Sequence, residues 1–243
     1  MKILIIHLGE IKDILPSTSV LKSICRKIKD PEIIWVIKDK KNKYIFNYNK
    51  RIDRILSFNE LKKTDEVFDL LINLYPYFPH WKCPNLRIRN AFDFNFQHEA
   101  KDLGKVLLGE IEAPNTNLFQ IAHKLSGLLW KGDGYDLCYF PRTRSKPSRI
   151  GLAVAQSNLR VYINDNLDLE GEKLWQIPYK TNIFKRMDEI NRCSKIITDD
   201  LTTFHLSMYL RKYVYFLEIF PSNFKMELFG KGEIHRVPKE IFL

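Results

Sequence analysis

No apolar run in the 243 residues approaches the ~20 needed to cross a bilayer, and the chain enters at once into the strand-like Lys2-Ile3-Leu4-Ile5-Ile6. Neither a secretory leader nor a membrane anchor is expected. Cysteine is sparse: Cys25, Cys83, Cys138 and Cys193 lack paired spacing, which argues against a disulfide framework and a zinc ribbon. Low-complexity tracts, short-period repeats and zinc-finger, RNP or homeodomain signatures are missing too. The expected compartment is the cytoplasm. What is present is a globular composition: 45% hydrophobic against 28% charged residues is too apolar for a disordered chain.

Lysine and arginine exceed the acidic residues by ten. Such an excess attracts phosphates, acidic surfaces or an anionic membrane face. The densest clusters are Lys38-Asp39-Lys40-Lys41-Asn42-Lys43 and Arg142-Thr143-Arg144-Ser145-Lys146. Each is otherwise a solvated loop. Nucleic acid is not the expected partner.

Strand-like and helix-like segments alternate. Ile3 to Ile6, Glu32 to Ile37, Arg54 to Phe58 and Phe68 to Leu74 are apolar runs of strand length. Between the first two, one helix is expected from Asp13 to Ile28, with Pro16 in its early turn, Leu21, Ile24 and Ile28 on one face, and Asp30-Pro31 ending it. Tyr75 to Pro84 is too rich in proline for an element; its Tyr75, Tyr77, Phe78 and Trp81 are loop-core residues or a stacking surface for sugar. His80 and Cys83 have ligand-like spacing without a second pair. Asn117 to Leu129 reads as an amphipathic helix, followed by the linker-like Gly132-Asp133-Gly134 and Pro141 to Pro147.

The same rhythm then restarts. Ile150 to Ala155 and Lys173 to Ile177 are strands, Thr181 or Asn182 caps a helix carrying Ile183, Met187 and Ile190, and Lys195 to Thr198 is a strand. Thr202 to Leu210 is a helix and Tyr213 to Glu218 a strand. The chain thus reads as two α/β halves with doubly wound sheets: a first domain over 1–140, a linker over 141–148 and a shorter domain over 149–243. Ligands of such sheets sit at strand carboxyl ends, and helix N-termini offer free N–H groups to phosphates. Asp199-Asp200-Leu201-Thr202-Thr203-Phe204-His205, between strand and helix, is the first candidate.

These residues carry a resemblance. Met1 to Ile6 running through Asp13-Ile14-Leu15-Pro16-Ser17-Thr18, with the later Asp200 to His205, resembles family 9 glycosyltransferases, the ADP-heptose:lipopolysaccharide heptosyltransferases and their relatives. Lys180-Thr181-Asn182 and Lys212 to Leu217 resemble further landmarks of that family. The resemblance implies a GT-B fold, two Rossmann-like domains facing a cleft, the first holding the acceptor and a reduced second one the nucleotide-sugar donor. It implies metal-independent transfer from a nucleotide-diphosphate sugar, with no other cofactor, to a lipopolysaccharide or other cell-surface glycan; the positive charge, taken by itself, adds an anionic acceptor and peripheral association with the inner face of a membrane.

By position, Asp13 matches the family's base, a group the chemistry needs because a sugar hydroxyl is a poor nucleophile until a carboxylate takes its proton. Asp200, Thr202, Thr203 and His205 match the donor motif, with Leu201-Thr202 where the family has Thr-Gly. Lys12 replaces a glycine on the acceptor side. Arg160, then Lys180, are the candidate cations for the diphosphate. Structural alternatives stand beside these roles: helix caps for Asp13 and Asp200, an inner helix face for His205, surface positions for the cations. A relative that keeps the fold and binds a nucleotide, glycan or protein without catalysis is the competing reading.

Overall fold

A computed structural model describes residues 1–79, 82–91, 98–108, 110–141, 147–156, 158–169, 172–179, 181–219, 224–226, 228, 231–238 and 241. The chain divides into two compact units, Met1–Cys138 with Asn223–Met226, and Tyr139–Ser222 with Glu227–Leu243.

The first unit is built on the strands β1 (Lys2–Ile6), β2 (Glu32–Ile37), β3 (Arg54–Ser57), β4 (Val67–Asn73) and β5 (Arg87–Ala91). They pair in parallel in the order β3-β2-β1-β4-β5. Continuous apolar runs suit strands covered on both faces: Ile3, Leu4, Ile5 and Ile6 are fully buried, as are Ile33 to Ile37. Leu4, Ile6, Ile34, Val36, Phe68 and Leu71 form one face of the core.

The expected single helix after β1 is two helices, α1 (Ile11–Ser17) and α2 (Val20–Lys27). Pro16 lies near the end of α1 instead of in its first turn. It has no N–H for the helical ladder, and two hydroxyls downstream take carbonyls for themselves: Thr18 Oγ1 donates to Leu15 O at 2.7 Å and Ser19 Oγ to Pro16 O at 2.8 Å. The cap also differs. Glu10 is the N-cap and Asp13 stands three residues inside.

The other elements of this unit are a 3₁₀ turn over Lys40–Phe46, α3 (Phe58–Leu61), α4 (His98–Leu107), β6 (Ala113–Asn117) and α5 (Leu118–Leu125). Asn117 caps α5, its Oδ1 accepting from the Gln120 N–H at 2.8 Å. This helix is shorter than expected because Gly127 turns the chain at φ +64°. The Leu128 N–H reaches back to His123 O and the Gly127 N–H to Lys124 O, a Schellman closure.

The second unit contains β7 (Arg149–Ala153), α6 (Asn158–Asn166), β8 (Leu174–Gln176), α7 (Ile183–Asn191), β9 (Cys193–Thr198), α8 (Leu201–Tyr209) and β10 (Tyr213–Glu218). A short β11 (Phe224–Lys225) pairs with β6, and β12 (Gly232–Arg236) edges the second sheet. That sheet is also all parallel, in the order β12-β10-β9-β7-β8. Ile150, Leu152, Leu159, Ile163, Ile197 and Leu217 pack in its core.

In each unit one strand has neighbours reached by connections running in opposite directions: β1 between β2 and β4, β7 between β8 and β9. The crevice beyond the carboxyl end of such a strand is the ligand position of doubly wound sheets.

Gly151 gives β7 its close packing. A Cβ there would lie 2.5 Å from Ile177 Cδ1, 2.7 Å from Ile196 Cδ1 and 2.9 Å from Cys193 Sγ. Gly151→Ala is expected to destabilise the second unit by about 1–3 kcal/mol through overpacking, read by urea unfolding; an unchanged midpoint would show that all three side chains move aside without cost.

Candidate functional site

In the first unit the site is built from the four residues between β1 and α1. Burial of His7 is complete and pushes its imidazole down to about 3, with backbone groups of Asp13 and His7 pulling the other way. The ring is neutral at physiological pH. Its Nδ1 accepts from the Gly9 N–H at 3.2 Å, which leaves the proton on Nε2, a buried atom without a hydrogen-bond partner of acceptable geometry among the described residues.

Gly9 is held between His7 and Asp13. A Cβ at this position would approach His7 Cε1 to 2.8 Å and Asp13 Oδ2 to 3.0 Å. Asp13 Oδ2 accepts the Glu10 N–H at 2.9 Å, closing the first turn of α1. That bond and the Lys12 charge favour the carboxylate, yet burial outweighs both and lifts the Asp13 carboxyl to about 6. Lys12 itself pairs with Glu10 at 3.6 Å on the surface.

The far side of this crevice follows β4. Ile6 pairs with Asn73 at the strand ends, and Asn73 Oδ1 accepts the Tyr75 N–H at 3.0 Å. Asp13 and Glu110 are close enough to raise the Tyr75 hydroxyl, after burial. Tyr77 donates to Glu110 and meets Tyr75 edge to face, so both tyrosines of the proline-rich loop stand at this end of the sheet. His80 and Trp81 lie outside the described residues. On the β2 and β3 side, Gly9 and Glu10 border an open basin of ≈ 890 Å³ that Lys38, Lys40, Lys41, Ser57 and Glu60 also line. Lys40 pairs with Glu60 and Lys41 with Asp39, while Lys38 has no ion-pair partner among the described residues.

In the second unit the loop after β9 is held by carboxylates. Asp199 accepts the Ala155 N–H at 3.2 Å and the Tyr179 hydroxyl at 3.2 Å, joining the loops that follow β7, β8 and β9. Burial raises its carboxyl. Asp200 caps α8: its Oδ2 accepts the Thr203 N–H at 2.8 Å, Thr203 Oγ1 at 2.7 Å and Arg186 Nη1 at 2.8 Å. The N–H groups of Leu201 and Thr202 remain without a partner in the hydrogen bonds of the described residues. They form the open positive end of the helix.

Of the sequence-derived candidates, the fold thus brings Asp200, Thr202 and Thr203 together at one helix end. His205 is 4% exposed, packs edge-on against Phe204 and is pushed down to about 3 by burial. It has the inner-face position, and its ring offers no surface to a ligand. Arg160 lies in the first turn of α6 and donates to Gln176 Oε1 at 2.9 Å on the exposed side. Lys180 falls outside the described residues.

His7, Gly9, Tyr179 and Arg186 carry no motif in the sequence. Arg186 is 7% exposed on α7, and spacing alone does not mark a buried arginine 14 residues before its partner. Among the described residues no three His, Cys, Asp or Glu side chains converge as metal ligands, and no helix is long and apolar enough to cross a membrane.

Two stability predictions follow from these carboxylates. Folding raises the Asp13 carboxyl from 3.8 to about 6, so its ionisation penalty is nearly absent near pH 4, grows between the two values and is complete above about pH 6. Asp13→Asn, which still accepts the Glu10 N–H, is expected to unfold roughly 2–3 kcal/mol later than wild type near pH 8 and together with it near pH 4; a gain that persists at acid pH would contradict the buried charge. Arg186→Met leaves Asp200 without its cation and is expected to cost about 3 kcal/mol, a loss that denaturant titration would show and that Asp200→Asn in the same chain should partly restore.

No protein-family model matches the sequence, and no curated protein matches it. Solved structures do match. The E. coli heptosyltransferase WaaC, solved with ADP, superposes with a TM-score of 0.65 at 12% identity, over 98% of this chain and 94% of that one. E. coli ADP-heptose lipopolysaccharide heptosyltransferase II gives 0.63 at 10%, over 98% and 91%. A family 9 glycosyl transferase of Veillonella parvula gives 0.60 at 14%, over 96% and 85%. At such identity the likeness is one of architecture: two parallel α/β units in the GT-B fold that these glycosyltransferases share.

Proposed function

We propose that the chain is a divergent, shortened family 9 glycosyltransferase that moves a sugar from a nucleotide-diphosphate donor to a hydroxyl of an anionic glycan or glycolipid acceptor. The observation that carries this reading is Asp13: a carboxylate at a topological switch point, oriented by the Glu10 N–H and raised to about 6 by burial, in a GT-B chain. A general base works best when its pKa lies near the operating pH, and this one is ionised at neutrality yet basic enough to accept a proton as the acceptor hydroxyl attacks. The solved WaaC structures hold ADP or ADP-2-deoxy-2-fluoro heptose, which supports a nucleoside diphosphate sugar as donor. A heptose and a lipopolysaccharide acceptor are the specific proposals within that class.

In this reading the α8 N-terminus meets the donor diphosphate. Free N–H groups at Leu201 and Thr202, the Thr202 hydroxyl and the helix dipole compensate the charge that builds on the leaving group. Asp200, Thr203 and Arg186 set that helix end in place, and His205 supports it from the core. Arg160 and Lys180 are the proposed additional cations. On the other side, Lys38 and Lys12 beside Glu10 offer positive charge to a phosphorylated acceptor in the basin next to Asp13. The reaction draws on no metal in this scheme, and the chain works in the cytoplasm at a membrane's inner face.

A second reading is favoured by one observation: Asp200 is spent on its cap and on Arg186, and His205 on the core. A non-catalytic GT-B protein that binds a nucleotide, glycan or protein partner would retain this arrangement.

Asp13→Asn separates the two. Transfer or donor hydrolysis, measured across a panel of nucleotide sugars, is expected to fall by about 10²–10⁴ while calorimetric ADP affinity stays within about twofold. The wild-type rate is expected to decline as pH falls through about 6, where the carboxylate takes up its proton. Turnover that survives the substitution would remove Asp13 from the chemistry; absence of any donor binding by the wild type would leave the second reading.

A further inference from the structure

The loop after α5 does something the sugar-transfer scheme does not use. Gly127 at φ +64° and Gly132 at φ +83° bracket Leu128-Leu129-Trp130-Lys131, and the Schellman closure turns this segment outward from the helix. Leu129 is 76% exposed, one of the most exposed large apolar side chains described. Trp130 is half-buried, stacked on Phe119, with its Nε1 donating to Asp133 O at 2.9 Å.

Beside this segment lies the end of α2. Ser23, Arg26, Lys27, Leu128, Leu129 and Lys131 together line a cavity of ≈ 450 Å³. Its charge is positive. Arg26 is paired with Asp133, but Lys27 reaches only Gly127 O at 3.5 Å and Lys131 is exposed without an ion-pair partner among the described residues. An outward leucine, a half-buried tryptophan and lysines around the cavity form a side-chain set that suits a membrane interface: apolar insertion, an aromatic at headgroup level and cations for lipid phosphates.

We propose that the Leu128–Lys131 loop and the carboxyl end of α2 form a docking surface for an anionic phospholipid bilayer. Leu129 enters the acyl boundary, Trp130 sits among the headgroups, and Lys27 and Lys131 take headgroup phosphates at the cavity. The surface stands independently of Asp13, so it holds or fails separately from the catalytic reading.

The test is flotation of the full chain with vesicles of phosphatidylglycerol and phosphatidylethanolamine, against vesicles of phosphatidylcholine alone. Wild type is expected to float with the first at low salt, to be released by high salt and to ignore the second. Leu129→Asp is expected to lower partitioning about tenfold, and Lys27→Ala and Lys131→Ala about fivefold each. Lys62→Ala with Lys63→Ala removes two charges from the same unit just after α3, whose Leu61 packs in a core face that holds no residue of α2 or α5, and is expected to leave flotation unchanged. Thermal unfolding at the wild-type midpoint establishes that each variant is folded. Wild type that floats with neither vesicle, a Leu129→Asp protein that floats like wild type, or an equal loss from the Lys62 and Lys63 pair would each overturn the assignment.

Discussion

Parallel pairing is the constraint on which both candidate sites depend. A strand joined in parallel to two neighbours sends every connection over a face of the sheet, and the direction of that connection must reverse at one strand. Here the reversal falls at β1 and at β7. The chain leaving these strands faces an opening that no connection covers, and its backbone groups need partners from side chains. Residues 7–13 and the Asp199–Thr203 loop satisfy that demand, which places polar side chains at the positions where a ligand would also approach.

The three aspartates meet the demand in different ways. Asp200 has a buried arginine against it, a hydroxyl and an N–H on the same oxygen, so its charge is compensated within the fold. Asp199 ties three loops together and keeps its partners neutral. Asp13 has one backbone N–H and a lysine that leans toward Glu10 instead. The first is an anchor and the last an under-compensated charge. Physical accounting of partners thus separates residues that the sequence presents as the same chemical type.

Much of this architecture was legible because burial on both faces writes continuous apolar runs: β1, β2 and β10 emerge from the sequence within a residue or so. Asn182 as a cap was readable from residue type, and its Oδ1 does take the Phe184 N–H at 2.9 Å. Of the edge strands, β5 and β12 were not. Arg87–Ala91 alternates charged and apolar residues at the margin of the sheet, and Gly232–Arg236 is largely exposed, so neither stands out from a loop. The division between α1 and α2 was hidden because Ile14 and Leu21, seven residues apart, keep helical spacing across it, while the break is made by hydroxyls competing for carbonyls. At the sites, Asp13 and Asp200 were visible as motif residues. Arg186 acts through space on a group 14 residues away, and the part played by Gly9 depends on how tightly its turn draws His7 and Asp13 together.

Gly9 controls Asp13 by what it lacks. A single methyl group at that position would press on the imidazole of His7 and on the carboxylate, and a carboxylate that gave way would draw on its hydrogen bond from Glu10. Placement of the carboxylate and closure of the first helical turn are therefore one mechanical setting, not two. The loop has no separate adjustment for its reactive group: a substitution that moves the carboxylate also loosens the helix that carries it.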